Sequence, residues 1–131
     1  MDAFDADVII FSTADDARGS RIRDLLFAST GRVGSNLLMF ETLVKPLRAG
    51  GSHEVATLSE HLARIDLKPV DDDTIDVALG FGVKYSLKLA DAIHLATAVL
   101  WGADRFHTNN RKDFGPHVTE VEVVHPDPLV E

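Results

Sequence analysis

The sequence predicts an α/β fold in three layers, with helices on both faces of a mainly parallel sheet of four or five strands. Three observations carry this expectation. Short β-branched or alternating apolar runs alternate along the chain with longer runs of helical spacing, the pattern of a parallel sheet with crossover helices. One of the short runs, Val8-Ile9-Ile10-Phe11, is apolar throughout, as a strand buried on both faces is. The 131 residues, 45% hydrophobic and 26% charged, suit a single domain over 1–131 with one sizeable core.

Taken in order, Val8–Phe11 reads as a central strand that starts as early as Ala3. Ser20 can cap a helix through about Ser29, with Ile22, Leu25 and Leu26 at helical spacing. Val33 marks a weak strand in a glycine-rich stretch. Ser35 or Asn36 then caps a helix over Leu37–Leu47, which Ala49-Gly50-Gly51 ends. Val55–Leu62 reads as a helix and Ile65–Val70 as a strand. Asp71-Asp72-Asp73 opens a further helix, where acids suit the positive end of the helix dipole. Gly80-Phe81-Gly82 reads as a turn. Leu89–Leu100, rich in Ala and Leu, is the strongest helix signal. Arg105–Thr108 and Val118–Val124 read as the last strands, and Pro126-Asp127-Pro128 as a frayed end.

Several function classes fall away on composition. There are no cysteines, which removes disulfides, thiolate zinc sites and cysteine nucleophiles. The acidic opening is unlike a basic targeting segment, and the longest apolar stretch, Leu87–Trp101, is interrupted by Lys88, Asp91 and His94. A cytoplasmic protein without membrane contact is the expectation. The formal net charge of −8 argues at first against nucleic acid. Its distribution weakens that objection. Segments 18–48 and 84–113 are net basic, while 1–17, 49–83 and 114–131 are net acidic.

Four acids stand in apolar settings. Asp5 precedes or lies within the first strand, with Asp7 two residues on along the same strand face. Glu41 borders the apolar stripe of its helix, with Leu37 about 40° away and Leu38 and Val44 about 60° away. A buried carboxylate of that kind needs a cation or a proton. Asp91 lies within about 60° of Leu87, His94, Leu95 and Ala98 and near its helix start. Asp113 follows a strand in His107-Thr108-Asn109-Asn110-Arg111-Lys112-Asp113, and ligand sites of parallel sheets gather where strands end. If these acids converge, they repel one another unless a divalent cation neutralises them. An oxygen-only set favours Mg²⁺, or Mn²⁺, over Zn²⁺. The histidines are scattered. His94, on the Asp91 face, reads as a packed or surface residue, with support of Asp91 as the alternative. Trp101 reads as core or dimer contact, and Ser12, Ser35 and Ser59 lack a nucleophile context.

Four words then fall in order. Asp5-Ala6-Asp7-Val8-Ile9-Ile10, Asn36-Leu37-Leu38-Met39-Phe40-Glu41, Leu89-Ala90-Asp91-Ala92-Ile93-His94-Leu95-Ala96-Thr97-Ala98 and Phe106-His107-Thr108-Asn109-Asn110-Arg111-Lys112-Asp113-Phe114 resemble the motifs of PIN-domain ribonucleases. The resemblance is closest to VapC-type toxins of toxin–antitoxin pairs, and it spans nearly the whole chain. It implies a metal-dependent endoribonuclease with an acidic catalytic centre of Asp5, Glu41, Asp91 and Asp113. Asp5 and Asp91 would ligate the metal, Glu41 would complete the set or orient a water, and Asp113 would serve the outer side. Thr108 would hydrogen-bond a ligand acid or cap its strand. Asp7 would support the centre from outside the ligand set or cap its own strand. The chain departs from the pattern at Asn110, where many relatives carry an acid, which bears on a second metal; its carbonyl can still position a water. Arg18, Arg21, Arg111 and Lys112 are the candidate RNA contacts. The resemblance also implies a homodimer and a small antitoxin partner. The alternatives are an inactive PIN-like module that binds RNA or protein, and an Mg²⁺-binding receiver-like signalling domain.

Overall fold

Parallel pairing fixes the architecture of the chain, which is described here over residues 1–28 and 30–126 of a computed structural model. Five strands, β1 (Asp2–Phe4), β2 (Arg32–Ser35), β3 (Asp66–Lys68), β4 (Arg105–His107) and β5 (Glu122–Val124), form one sheet in the order β3-β2-β1-β4-β5. Every neighbouring pair is parallel. The chain builds outward from β1 to β2 and β3, then returns to the other side of β1 for β4 and β5. The order therefore reverses between β1 and β4, and a crevice opens there at the strand C-terminal ends.

Six helices cover the sheet: α1 (Ala6–Phe11), α2 (Ala17–Leu26), α3 (Leu37–Ala49), α4 (Ser52–Leu62), α5 (Asp72–Tyr85) and α6 (Leu89–Leu100). They make two apolar cores, one on each face. Phe4, Val8, Ile9, Ile22, Leu26, Leu38 and Leu58 close one with α1 to α4. Ala3, Val33, Ala78, Phe81, Leu95, Phe106 and Phe114 close the other, mainly with α5 and α6. This is the three-layer arrangement the sequence predicts, with five strands and no antiparallel pair among the described residues.

Two elements differ in kind from the sequence reading, and α2 also starts earlier than expected, capped by Asp16 and not by Ser20. Val8–Phe11 is helical, and the first strand is Asp2–Phe4. The cause is Asp5, whose carboxylate accepts from the Ala6 backbone N–H at 2.8 Å and caps α1 as β1 ends. Val8 and Ile9 are buried while Ile10 is 44% exposed, as a one-sided helix allows and a central strand does not. A short apolar run has no period long enough to separate the two cases. Asp7 consequently sits in the first turn of α1, not on a strand face. The second difference is Gly80-Phe81-Gly82, which continues α5 instead of turning it. Phe81 and Ala78 pack into the core, and the helix ends at Ser86 in a left-handed conformation with φ 56°. Packing outweighs the helix penalty of about 1 kcal/mol for each glycine.

The helix bearing Glu41 is held close to the sheet. A Cβ on Gly34 of β2 would stand 2.7 Å from Leu38 Cδ1 and 3.2 Å from Ile65 Cγ2, so only glycine allows this approach without a shift. Ser35 Oγ accepts from Leu37 N at 3.0 Å, whereas Asn36, in the cap position, makes no side-chain cap bond. No described helix is long and apolar enough to cross a membrane. Asp127 and Pro128 of the expected frayed end lie outside the described residues.

Candidate active site

Because all five strands run the same way, their C-terminal ends share one edge of the sheet, and the acids gather there. Asp5 closes β1, and the segment Thr108–Asp113 follows β4 directly across the crevice. The Asp5 backbone N–H extends the ladder to the His107 carbonyl at 2.9 Å, which locks the two strand ends together. Helix α6 leads into the start of β4, so its own first turn, with Asp91, comes back to the same edge. Glu41 arrives from α3, which follows β2.

Thr108 is the hub of this edge. It is fully buried, and its hydroxyl donates to Asp5 Oδ2 at 2.9 Å. The same oxygen accepts from Asn110 N at 3.1 Å, and Thr108 N donates to the Val124 carbonyl at 3.0 Å. Asn110 and Asp113 then clasp each other. The Asn110 amide donates to Asp113 Oδ2 at 2.9 Å, and Asp113 N donates to Asn110 Oδ1 at 3.2 Å. Asn110 therefore orients the remaining acid of its segment. Asp7 is half-buried and accepts from Asn109 N at 3.3 Å.

The electrostatics report burial and crowding of carboxylates. Burial first, then the Asp5 charge, pushes the Asp7 carboxyl up to about 7, against backbone hydrogen bonds from Asn109 and Val8; Asp91 adds a smaller upward push. Burial, then Asp5 and Asp113, raises Asp91 to about 6, with His94 opposing and Glu41 adding to the rise. These couplings place Asp5, Asp7, Glu41, Asp91 and Asp113 in one neighbourhood.

His94 is the residue that sequence reasoning underrated. It is buried, and its Nε2 meets Glu41 Oε1. Its Nδ1 is buried with no partner among the described residues. The histidine thus serves Glu41 by contact. Its place one helical turn after Asp91 was the available signal.

A second buried acid went unnoticed in the sequence. Asp2, 1% exposed, lies at the opposite end of the sheet, where Arg105 Nε donates to Oδ1 at 2.8 Å and His107 Nε2 donates at 2.9 Å. Burial would raise its pKa, but the hydrogen bonds and charges of Arg105 and His107 hold it below the ordinary value. The signal was a pair of alternations, Asp2/Phe4 on β1 and Arg105/His107 on β4, brought into register as Asp2↔Arg105 and Phe4↔His107.

The basic candidates divide. Arg18 is tied to Asp16 by Nε and Nη2 at 3.1 and 2.9 Å and lies over the Phe11 ring. Arg21, exposed on α2, donates to the Pro126 carbonyl at 3.2 Å. Arg111 and Lys112, both exposed, occupy the turn between Asn110 and Asp113 and so flank the acidic edge.

The donor chemistry fits a divalent cation. The acids offer hard oxygens, two of them are raised by burial and by neighbouring carboxylates, and one edge of the sheet holds them. Among the described residues, no three acidic or histidine side chains stand in an arrangement that would already hold an ion. Binding would therefore draw the carboxylates together.

Comparisons with known proteins bear on the family and the fold. A family model described as PIN domain matches residues 3–115. A solved structure titled as a toxin–antitoxin complex from Klebsiella pneumoniae contains a chain with a TM-score of 0.76 and 25% sequence identity. The match covers 95% of this chain and 96% of that one. No curated protein matches in sequence. The matched segment takes in the end of β1, the α3 acid, the first turn of α6 and the loop after β4, and the chain belongs to the PIN-domain family.

Proposed function

We propose that this protein is a metal-dependent endoribonuclease, the toxin of a toxin–antitoxin pair, acting at the edge formed by Asp5, Glu41, Asp91 and Asp113. The observation that carries the reading is the crowding of carboxylates at the topological switch point, with Asp7 at about 7 and Asp91 at about 6. Acids held so close and so poorly compensated destabilise the free protein, and they make sense where a cation is to bind.

Asp5 and Asp91 would hold Mg²⁺ or Mn²⁺. Thr108 fixes one Asp5 oxygen and the Ala6 amide fixes the other, so the carboxylate is oriented before any ion arrives. Glu41, held by His94, would complete the set or position the attacking water. Asp113, clasped by Asn110, faces Asp91 electrostatically and would serve the outer side. When bound, the cation supplies the positive charge that activates water and stabilises charge on the phosphoryl oxygens. The remaining work belongs to the chain. Arg111 and Lys112 flank the acids and would hold the RNA backbone, with Arg18 and Arg21 on α2 as further contacts. Unpaired loops or single strands are the expected substrates, since A-form grooves hide base edges. An antitoxin occluding the site and a second copy of the chain as homodimer partner complete the reading. They rest on the family and on the toxin–antitoxin complex that the chain resembles.

Purified, partner-free protein incubated with structured RNAs, with and without Mg²⁺ or Mn²⁺, tests the proposal. Cleavage that needs the metal and disappears in Asp5→Asn and Asp91→Asn supports it. Cleavage persisting in both variants implicates a contaminant. RNA binding without metal-dependent cleavage by the intact protein returns the reading to an inactive PIN-like module.

A further inference from the structure

The core position held by His94 calls for an apolar side chain. Helix α6 is buried from Ala92 through Ala98, and His94 stands in that run between Ile93 and Leu95 with its side chain 1% exposed. The ring meets Glu41 Oε1 through Nε2, and its Nδ1 is buried with no partner among the described residues. A carboxylate accepts hydrogen bonds and donates none, so Nε2 carries the hydrogen and donates it to Glu41. A leucine at this place would fill the core and strand no polar atom. The histidine therefore costs stability that packing alone does not require, the mark of a residue kept for activity.

The two oxygens of Glu41 are unlike. Oε1 is taken by the buried ring, whereas no bond engages Oε2 among the described residues and the Glu41 side chain keeps 29% exposure. Asp91 and His94 share one face of α6, about 4.5 Å apart along its axis, with Asp91 in the first turn. Contact with His94 thus draws Glu41 one turn along α6 from Asp91. In agreement, Asp5 and Asp113 each press on Asp91 more strongly than Glu41 does. Glu41 stands to one side of the other three acids.

We propose that His94 is a positioning residue of the acidic edge: it pins Glu41 by Oε1, so that Oε2 alone faces the site, where it holds the attacking water and does not join the ligands of the cation. The proposal rests on the ribonuclease reading and chooses between the two roles that reading gives Glu41. A free glutamate has three side-chain torsions to fix before it can orient a water, and a bond to one oxygen removes most of that freedom in advance. Helix α3 is itself set against the sheet by the close approach of Leu38 to Gly34, so the pinned side chain stands on a fixed base.

The test compares His94→Leu, which removes the donor, with His94→Gln, which returns an N–H near the place of Nε2. In Mn²⁺ titrations followed by electron paramagnetic resonance, His94→Leu should bind within about threefold of the parent, while Asp91→Asn loses at least about tenfold. In RNA cleavage His94→Leu should lose roughly tenfold to a hundredfold in kcat with KM unchanged, and His94→Gln should regain most of it. Glu41→Gln should lose at least as much, and adding His94→Leu to it should cost nothing further, because the histidine acts through the glutamate. Thermal unfolding of His94→Leu should match or exceed the parent. A carbon-detected NMR signal of the Glu41 carboxyl, shifted in His94→Leu and restored in His94→Gln, reads the bond without RNA.

A loss of Mn²⁺ affinity in His94→Leu as large as that in Asp91→Asn would put Glu41 among the ligands and overturn the water role. A further loss in the double variant, or no recovery in His94→Gln, overturns the positioning role. Unfolding of His94→Leu well below the parent makes the histidine structural and overturns it too. If the Mn²⁺ affinities and the Glu41 signal behave as expected while the intact protein cleaves no RNA, the ribonuclease reading fails, and the water role with it, while the hold of His94 on Glu41 stands.

Discussion

The two ends of the β1–β4 pair both bury carboxylates, under opposite electrostatic terms. At the start of the strands Asp2 has Arg105 and His107 against it and is held below its ordinary pKa. At their finish Asp5, Asp7, Asp91 and Asp113 face mainly one another, and Asp7 and Asp91 rise to about 7 and 6. The first arrangement is complete in the folded chain; on the proposed reading the second is kept for a cation.

The sharpest way to break the comparison is to exchange the roles. Asp5→Asn and Asp91→Asn should lower RNA cleavage by at least about a hundredfold, since each removes a carboxylate that would hold the cation. Asp2→Asn should leave cleavage unchanged at temperatures where the variant is folded. Cleavage assays beside circular dichroism distinguish the two. A large activity loss in folded Asp2→Asn would erase the distinction between the ends.

Stability should respond in the reverse order. Asp2→Ala strands Arg105 and His107 and should cost about 2–3 kcal/mol in urea unfolding, below the full buried-pair penalty because the Arg105 side chain is 43% exposed. Asp7→Asn should do the opposite. Between its ordinary value of 3.8 and about 7 the folded Asp7 keeps a proton that the unfolded chain has released, so stability falls as pH rises through that window. The amide removes the penalty. The gain should be about 1–2 kcal/mol at about pH 8, discounted for partial solvent access, and should vanish below about pH 4. The Asp2 end has the contrary sign. His107 is lowered by burial, against its Asp2 partner, and Asp2 is lowered too, so their contribution is lost on acidification. Mg²⁺ at ten times its Kd should add about 1.4 kcal/mol to the parent and nothing to Asp91→Asn. Thermal melts with EDTA as control read this smallest effect.

Much of the site was legible in the sequence because its acids break local rules. Glu41 and Asp91 stand among apolar helix positions, and Asp113 follows a strand, so each asks for an explanation without any knowledge of contacts. The fold followed from alternation of short and long apolar runs. What escaped depended on partners distant in sequence. Asp2 looks like an ordinary N-terminal acid until β4 is set beside β1. His94 looks like a core histidine until α3 brings Glu41 to it. The strand expected at Val8–Phe11 failed for a local reason: the carboxylate that marks the site also caps a helix there, and a four-residue apolar run does not reveal which geometry it will take. Asp7 moved with it, from a strand face to the first turn of α1, where it joins the crowded acids.

The central claim is that the C-terminal edge is an acidic centre awaiting a divalent cation. Carbon-detected NMR of the aspartate carboxyls, titrated over pH with and without Mg²⁺, measures it directly. Without metal, carboxyls of the acidic edge should titrate with apparent pKa values near 7 and 6, and Asp2 should titrate below its ordinary range. With Mg²⁺ the two raised values should fall by at least about one unit, while Asp2 stays where it was. Raised values that do not move with Mg²⁺ or Mn²⁺, or that are absent from the metal-free protein, would contradict the account.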